Sequence, residues 1–92
     1  IYIVMVEEER KIKVKVKLFA VYQEAFGTPE LDLTLLPETT VEQVLASLIA
    51  QQPKLAKWRD VTRFGINLQF VESATALQDG DEIVLIPPVS GG

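Results

Sequence analysis

The sequence reads as an α+β fold in which a mixed sheet of four to five strands packs on one main helix. Three observations predict it. Residues 11–18, KIKVKVKL, alternate strictly between basic and aliphatic; residues 37–53, PETTVEQVLASLIAQQP, carry a capped apolar stripe; and residues 83–86, IVLI, form a short aliphatic run just before the chain's end. A two-residue period marks a strand and a 3.6-residue period marks a helix, so the chain changes register between its elements.

Taken in order, Ile12, Val14, Val16 and Leu18 fall on one face of the first strand, and Lys11, Lys13, Lys15 and Lys17 on the other. Such a strand buries one face and wets the other. The lysine row is either a binding stripe or, more simply, a solvated face. Phe19 has lysine parity, which puts an aromatic ring at the end of the wet face. A turn signal at Gly27–Pro29 precedes Leu31, Leu33 and Leu35, which read as a second strand hairpinned to the first.

For the helix, Thr39 or Thr40 offers an N-cap oxygen and Glu42 or Gln43 completes a capping box. Val41, Val44, Leu45, Leu48 and Ile49 form its apolar stripe, and Pro53 ends it. KLAKWRDVTR is an irregular or helical connection anchored by Leu55 and Trp58, and FGINLQFV gives one or two short strands bending at Asn67. An Asp-Gly turn in LQDGDE leads into the last strand. Asp79, Asp81 and Glu82 read as turn chemistry rather than as metal ligands.

That last strand is apolar on both faces, whereas a sheet covered on one side should alternate. A single helix covers only one face. Either Ile83 and Leu85 or Val84 and Ile86 are therefore left without an internal partner, and with Phe19 they suggest an exposed apolar patch of the kind that binds proteins. A helix packed across a hairpin, with the final strand entering beside the first, is the β-grasp or ubiquitin-like arrangement.

Composition narrows the chemistry. The 92 residues suffice for one domain and contain no cysteine and no histidine. This removes disulfides, a cysteine nucleophile, an imidazole base and the ordinary zinc sites, so a self-sufficient enzyme is disfavoured. The net charge is −4, with five bases against three acids in residues 1–20 and four against ten in residues 21–92. An acidic body repels a phosphate backbone and suits a basic protein surface, so no nucleic acid is expected as a partner. No apolar run is long enough to span a membrane, and the N-terminal segment lacks a basic leader, which points to the cytosol.

LFA at 18–20, Gly27, the capped helix, Ile66-Asn67, the DGDEI of 79–83 and above all PPVSGG at 87–92 resemble the small subunit of molybdopterin synthase, the MoaD family of sulfur carriers within the wider ThiS/MoaD superfamily. The resemblance divides the chain into an N-terminal extension at 1–12, a β-grasp domain at 13–87 and a flexible C-terminal Gly-Gly tail at 88–92. Met5 could be the start of the extension, with the residues before it a remnant; alternatively the segment adds an edge strand.

The resemblance also implies a mechanism. A ubiquitin-activating-type adenylating enzyme uses ATP to activate the carboxylate of Gly92, a sulfur donor converts it to a thiocarboxylate, and the large synthase subunit takes the tail into its active site. There the sulfur passes to precursor Z. Pro88, Val89, Ser90 and Gly91 would thread the channel, where only glycine lacks a Cβ near the reacting end. The carrier itself would bind no cofactor and no metal, and would form a heterotetramer with the large subunit through a patch of Phe19, Phe70 and Ile86. Phe70 fits this patch or simple core packing equally well. Other roles share the pattern: a carrier for thiamine, tungsten cofactor or amino-acid thiolation, a ubiquitin-like modifier, or an inert interaction module.

Overall fold

A computed structural model describes residues 10–88. Strand β1 (Ile12–Leu18) follows its alternation: Val14, Val16 and Leu18 are buried and the lysines lie on the opposite face. The chain then leaves the sheet. Instead of a direct hairpin, a short helix α1 (Val21–Phe26) intervenes, closed by Gly27 in the left-handed conformation, whose N–H reaches the Gln23 carbonyl. The cause lies in Val21, Tyr22, Ala25 and Phe26, which recur at helical spacing and pack on the core. Six residues are too few for that periodicity to stand out in the sequence.

Tyr22 is fully buried, and its hydroxyl is hydrogen-bonded to Thr62, which donates in turn to the Trp58 carbonyl at 2.8 Å. Burial pushes the Tyr22 phenol above its ordinary value, and the Thr62 bond partly offsets this. Strand β2 (Glu30–Leu35) pairs antiparallel with β1, from Ile12 opposite Leu35 to Lys17 opposite Glu30.

Helix α2 (Val41–Gln51) starts from a capping box. The Thr40 hydroxyl accepts from the Gln43 N–H at 3.2 Å, and the Gln43 side chain accepts from the Thr40 N–H at 2.9 Å. Of the two cap candidates Thr40 is therefore the cap, and the Thr39 hydroxyl donates to the Leu36 carbonyl. Val41, Val44, Leu45 and Leu48 are buried, and Ile49 packs at the margin. A 3-10 segment (Pro53–Val61) follows, anchored by buried Leu55 and partly buried Trp58.

Strands β3 (Arg63–Ile66) and β4 (Gln69–Val71) form a two-residue hairpin. Both loop residues, Asn67 and Leu68, have positive φ (49° and 75°), matching the strand twist as tight hairpins require. Strand β5 (Glu82–Ile86) then enters the middle of the sheet, parallel to β1 and antiparallel to β3. The order β2-β1-β5-β3-β4 makes one mixed five-stranded sheet, and this is the β-grasp topology. α2 lies on one face, where Val14, Val16, Leu18, Ile83 and Leu85 meet its stripe. No helix among the described residues is long and apolar enough to cross a membrane.

Candidate functional site

Among the described residues no helix covers the face of the sheet away from α2, and that face divides in two. Register pairs place Glu30, Lys17, Val84, Gly65 and Phe70 in one row across all five strands. On the β2–β1 side the row is charged. Lys17 Nζ lies 3.2 Å from Glu30 and 3.6 Å from Glu82, and Lys15 Nζ lies 3.3 Å from Glu30 and 3.8 Å from Asp32. The hydrogen bond from Lys17, followed by that from Lys15, draws the Glu30 carboxyl below its ordinary value, and the bond to Glu30 raises the Lys17 amine. Lys15 and Lys17 thus pair with acids of neighbouring strands, as a solvated face does.

On the β5–β3–β4 side the row turns apolar. Val84 and Ile86 are the pair on β5 that the core does not use, while Ile83 and Leu85 are fully buried. Leu68, Gln69, Phe70, Val84 and Ile86 line a shallow groove of about 220 Å³ floored by Gly65. Phe70 is 75% exposed and therefore is not a core residue; Leu68 is 92% exposed. Of the three residues assigned to the patch, the structure brings Phe70 and Ile86 together. Phe19, also exposed, sits just past the end of β1 and does not line the groove.

The hairpin tip is held in place by polar groups. Asn67 accepts the Glu82 N–H on its side-chain oxygen at 3.0 Å, donates its amide to Asp81 at 3.0 Å, and gives its own N–H to the Glu82 carbonyl at 2.9 Å. Asp81 also accepts the Gln78 N–H, and Asp79 accepts the Lys13 N–H, both at 2.8 Å. These acids complete turns, and no group of acids suited to a metal occurs among the described residues.

From Ile86 the chain runs into Pro87, which is buried, and Pro88, which is exposed. Proline cannot donate to a ladder, so β5 ends there. Val89, Ser90, Gly91 and Gly92 lie outside the described residues, as do residues 1–9. Leu68 and Gly65 were not singled out from sequence. The signals for them were a leucine directly after the bend asparagine, where a tight turn favours glycine, and a glycine inside a strand.

A β-grasp domain with one face filled and one open defines the class, and comparison with known proteins narrows it. The sequence model of the ThiS family matches residues 16–92, and the chain belongs to that family. It is 36% identical over 83 residues to the molybdopterin synthase sulfur carrier subunit of Chlamydomonas reinhardtii, covering 88% of this chain and 100% of that one. It is 30% identical over 86 residues to the Arabidopsis thaliana protein of the same name, covering 94% and 90%. Among solved structures, the small archaeal modifier protein 1 of Methanosarcina acetivorans matches with a TM-score of 0.68 at 38% identity, over 90% of this chain and 99% of that one.

Proposed function

We propose that this chain is the sulfur carrier subunit of a molybdopterin synthase. It serves molybdenum-cofactor synthesis as a donor of sulfur rather than as an enzyme in its own right. The observation that carries this reading is the extent of the family match, which runs to Gly92 and so includes the PPVSGG ending. Relatives named as sulfur carrier subunits, aligned over most of their length, support it.

The chemistry follows from the terminal group. A carboxylate is a resonance-stabilised anion and resists nucleophiles until one oxygen becomes a good leaving group. An adenylating enzyme of the ubiquitin-activating type supplies this with ATP: a Gly92 carboxylate oxygen attacks the α-phosphorus, pyrophosphate leaves, and an acyl adenylate forms. A sulfur nucleophile then attacks the acyl carbon and displaces AMP, leaving a thiocarboxylate. In the cytosol, the large synthase subunit would receive the tail through residues 88–92 and dock the open face around Phe70 and Ile86, with Phe19 at its margin. Sulfur then passes to precursor Z. The carrier holds neither metal nor ATP itself.

Deleting Gly92, or adding one residue after it, is expected to abolish sulfur transfer while leaving the thermal unfolding midpoint unchanged. A variant of either kind that still supports molybdopterin synthesis overturns the reading. Intact mass spectrometry of protein from its own cells should show one oxygen exchanged for sulfur. The likeness to an archaeal modifier protein favours a second reading, in which the Gly92 carboxyl is joined to lysines of other proteins. Peptides carrying the Gly-Gly remnant on a lysine would establish it; carriers of other sulfur pathways would show the thiocarboxylate but not complement a synthase lacking its small subunit.

A further inference from the structure

A glycine inside a strand is destabilising relative to alanine. It is kept where φ must be positive, where the fold itself crowds the Cα, or where something else approaches closely. Gly65 meets neither of the first two conditions. The positive-φ glycines among the described residues are Gly27 and Gly80. A Cβ built on Gly65 would lie 3.4 Å from the Gln69 carbonyl oxygen and 3.8 Å from the Val84 Cβ, which are ordinary contacts. The fold accepts a Cβ at this position. What it would fill is the floor of the open-face groove.

The surroundings make the floor a slot. Gly65 pairs with Phe70 on one side and Val84 on the other, so an aromatic and an aliphatic wall face each other across it. At one end stands Leu68, a non-glycine at φ 75° with almost all of its side chain in solvent. That conformation is strained for a residue with a Cβ, and the Asn67 bonds to Asp81 and Glu82 maintain it. Apart from Gln69, every side chain lining the slot is apolar, and its volume of about 220 Å³ suits one large side chain.

The short reach from Pro88 to Gly92 points to the occupant. Ile86 is a wall of the slot, and in the carrier reading the Gly92 that enters the partner stands four residues past Pro88. Four extended residues span at most about 14 Å. A protein that holds the Gly92 carboxylate in its active site therefore lies against this end of the open face. We propose, resting on the carrier reading above, that Gly65 is a specificity-determining hole. It receives one apolar side chain, of leucine to phenylalanine size, projecting from the large synthase subunit beside its tail channel, and Leu68 forms the lip.

The test is titration calorimetry of the full-length chain against the large subunit of the same organism, comparing wild type, Gly65→Ala and Gly65→Val. Expected is a thermal midpoint equal to or above wild type in the alanine variant, with Kd weakened roughly 10-fold there and further in the valine variant. Thr34→Val, on the open face but remote from the groove, is expected to bind as wild type does. If the wild type binds and Gly65→Ala binds equally well, the hole is not used and the proposal is overturned while the carrier reading stands. If the wild type itself does not bind the large subunit, the carrier reading fails and takes the hole with it. Should the wild type form a dimer that Gly65→Ala dissolves, the occupant is a second copy of this chain, and the proposal is equally overturned.

Discussion

Val84 and Leu85 are neighbours on β5, yet they belong to different environments. Leu85 points to the α2 side and is completely buried, between Leu18 of β1 and Phe64 of β3. Val84 points away, is only partly buried, and borders a groove instead of a core. The same contrast holds between Ile83 and Ile86. Strand β5 therefore places two of its four aliphatic residues, Ile83 and Leu85, in the core and leaves the other two, Val84 and Ile86, on the open face. Apolar character alone does not separate the two uses; the side of the strand does.

Substitutions on the two faces should separate in kind. The largest loss is expected on the filled face. Leu85→Ala removes a completely buried side chain and should cost about 2–5 kcal/mol of unfolding free energy by denaturant titration. On the open face, Phe70→Lys should change that free energy by no more than about 0.5 kcal/mol, since the ring is mostly in solvent. The same substitution should weaken binding to the large subunit by roughly 10-fold, as loss of an interface anchor does. A Phe70→Lys chain that is destabilised like Leu85→Ala would erase the distinction between the faces.

Much of this division was legible in advance. The alternation of Lys13 to Leu18 specifies which side of β1 is wet, and the four aliphatics of β5 signal a strand with two apolar faces. Pattern alone could not say which pair was inward. That depends on the register with β1, where Val16 stands opposite Ile83 and Lys17 opposite Val84. Helix α1 was hidden because six residues give barely more than one turn, and Tyr22 earns its burial from Thr62, which lies forty residues away. Phe19 lies one residue past β1 and just before the turn at Ala20, where φ is 50°; its ring is exposed as its parity suggests, yet it does not line the groove. The groove was illegible because it is made by the absence of a side chain at Gly65.

Smaller effects sharpen the comparison. Thr40→Ala removes the cap of the helix that covers the filled face and should cost about 1 kcal/mol, read as a lower thermal midpoint with binding unchanged. The smallest effect belongs to the charged half of the open face. Glu30 has a lowered folded value, so its contribution is present above the ordinary carboxylate range and lost as pH falls through that folded value. Lys17, with a raised value, contributes fully below the ordinary lysine range and loses its contribution as pH rises through the folded value. Glu30→Gln should therefore flatten the acid limb of a plot of thermal midpoint against pH. The difference should shrink in high salt, because these groups are open to solvent.

The position of β5 between β1 and β3 has a mechanical consequence. A pull on β5 along its own axis loads two ladders at once, one parallel and one antiparallel, so their hydrogen bonds share the force in shear instead of unzipping one by one. An edge strand in that place would peel. In the carrier reading, a partner could draw the chain beyond Pro88 toward itself and release it without unravelling the sheet.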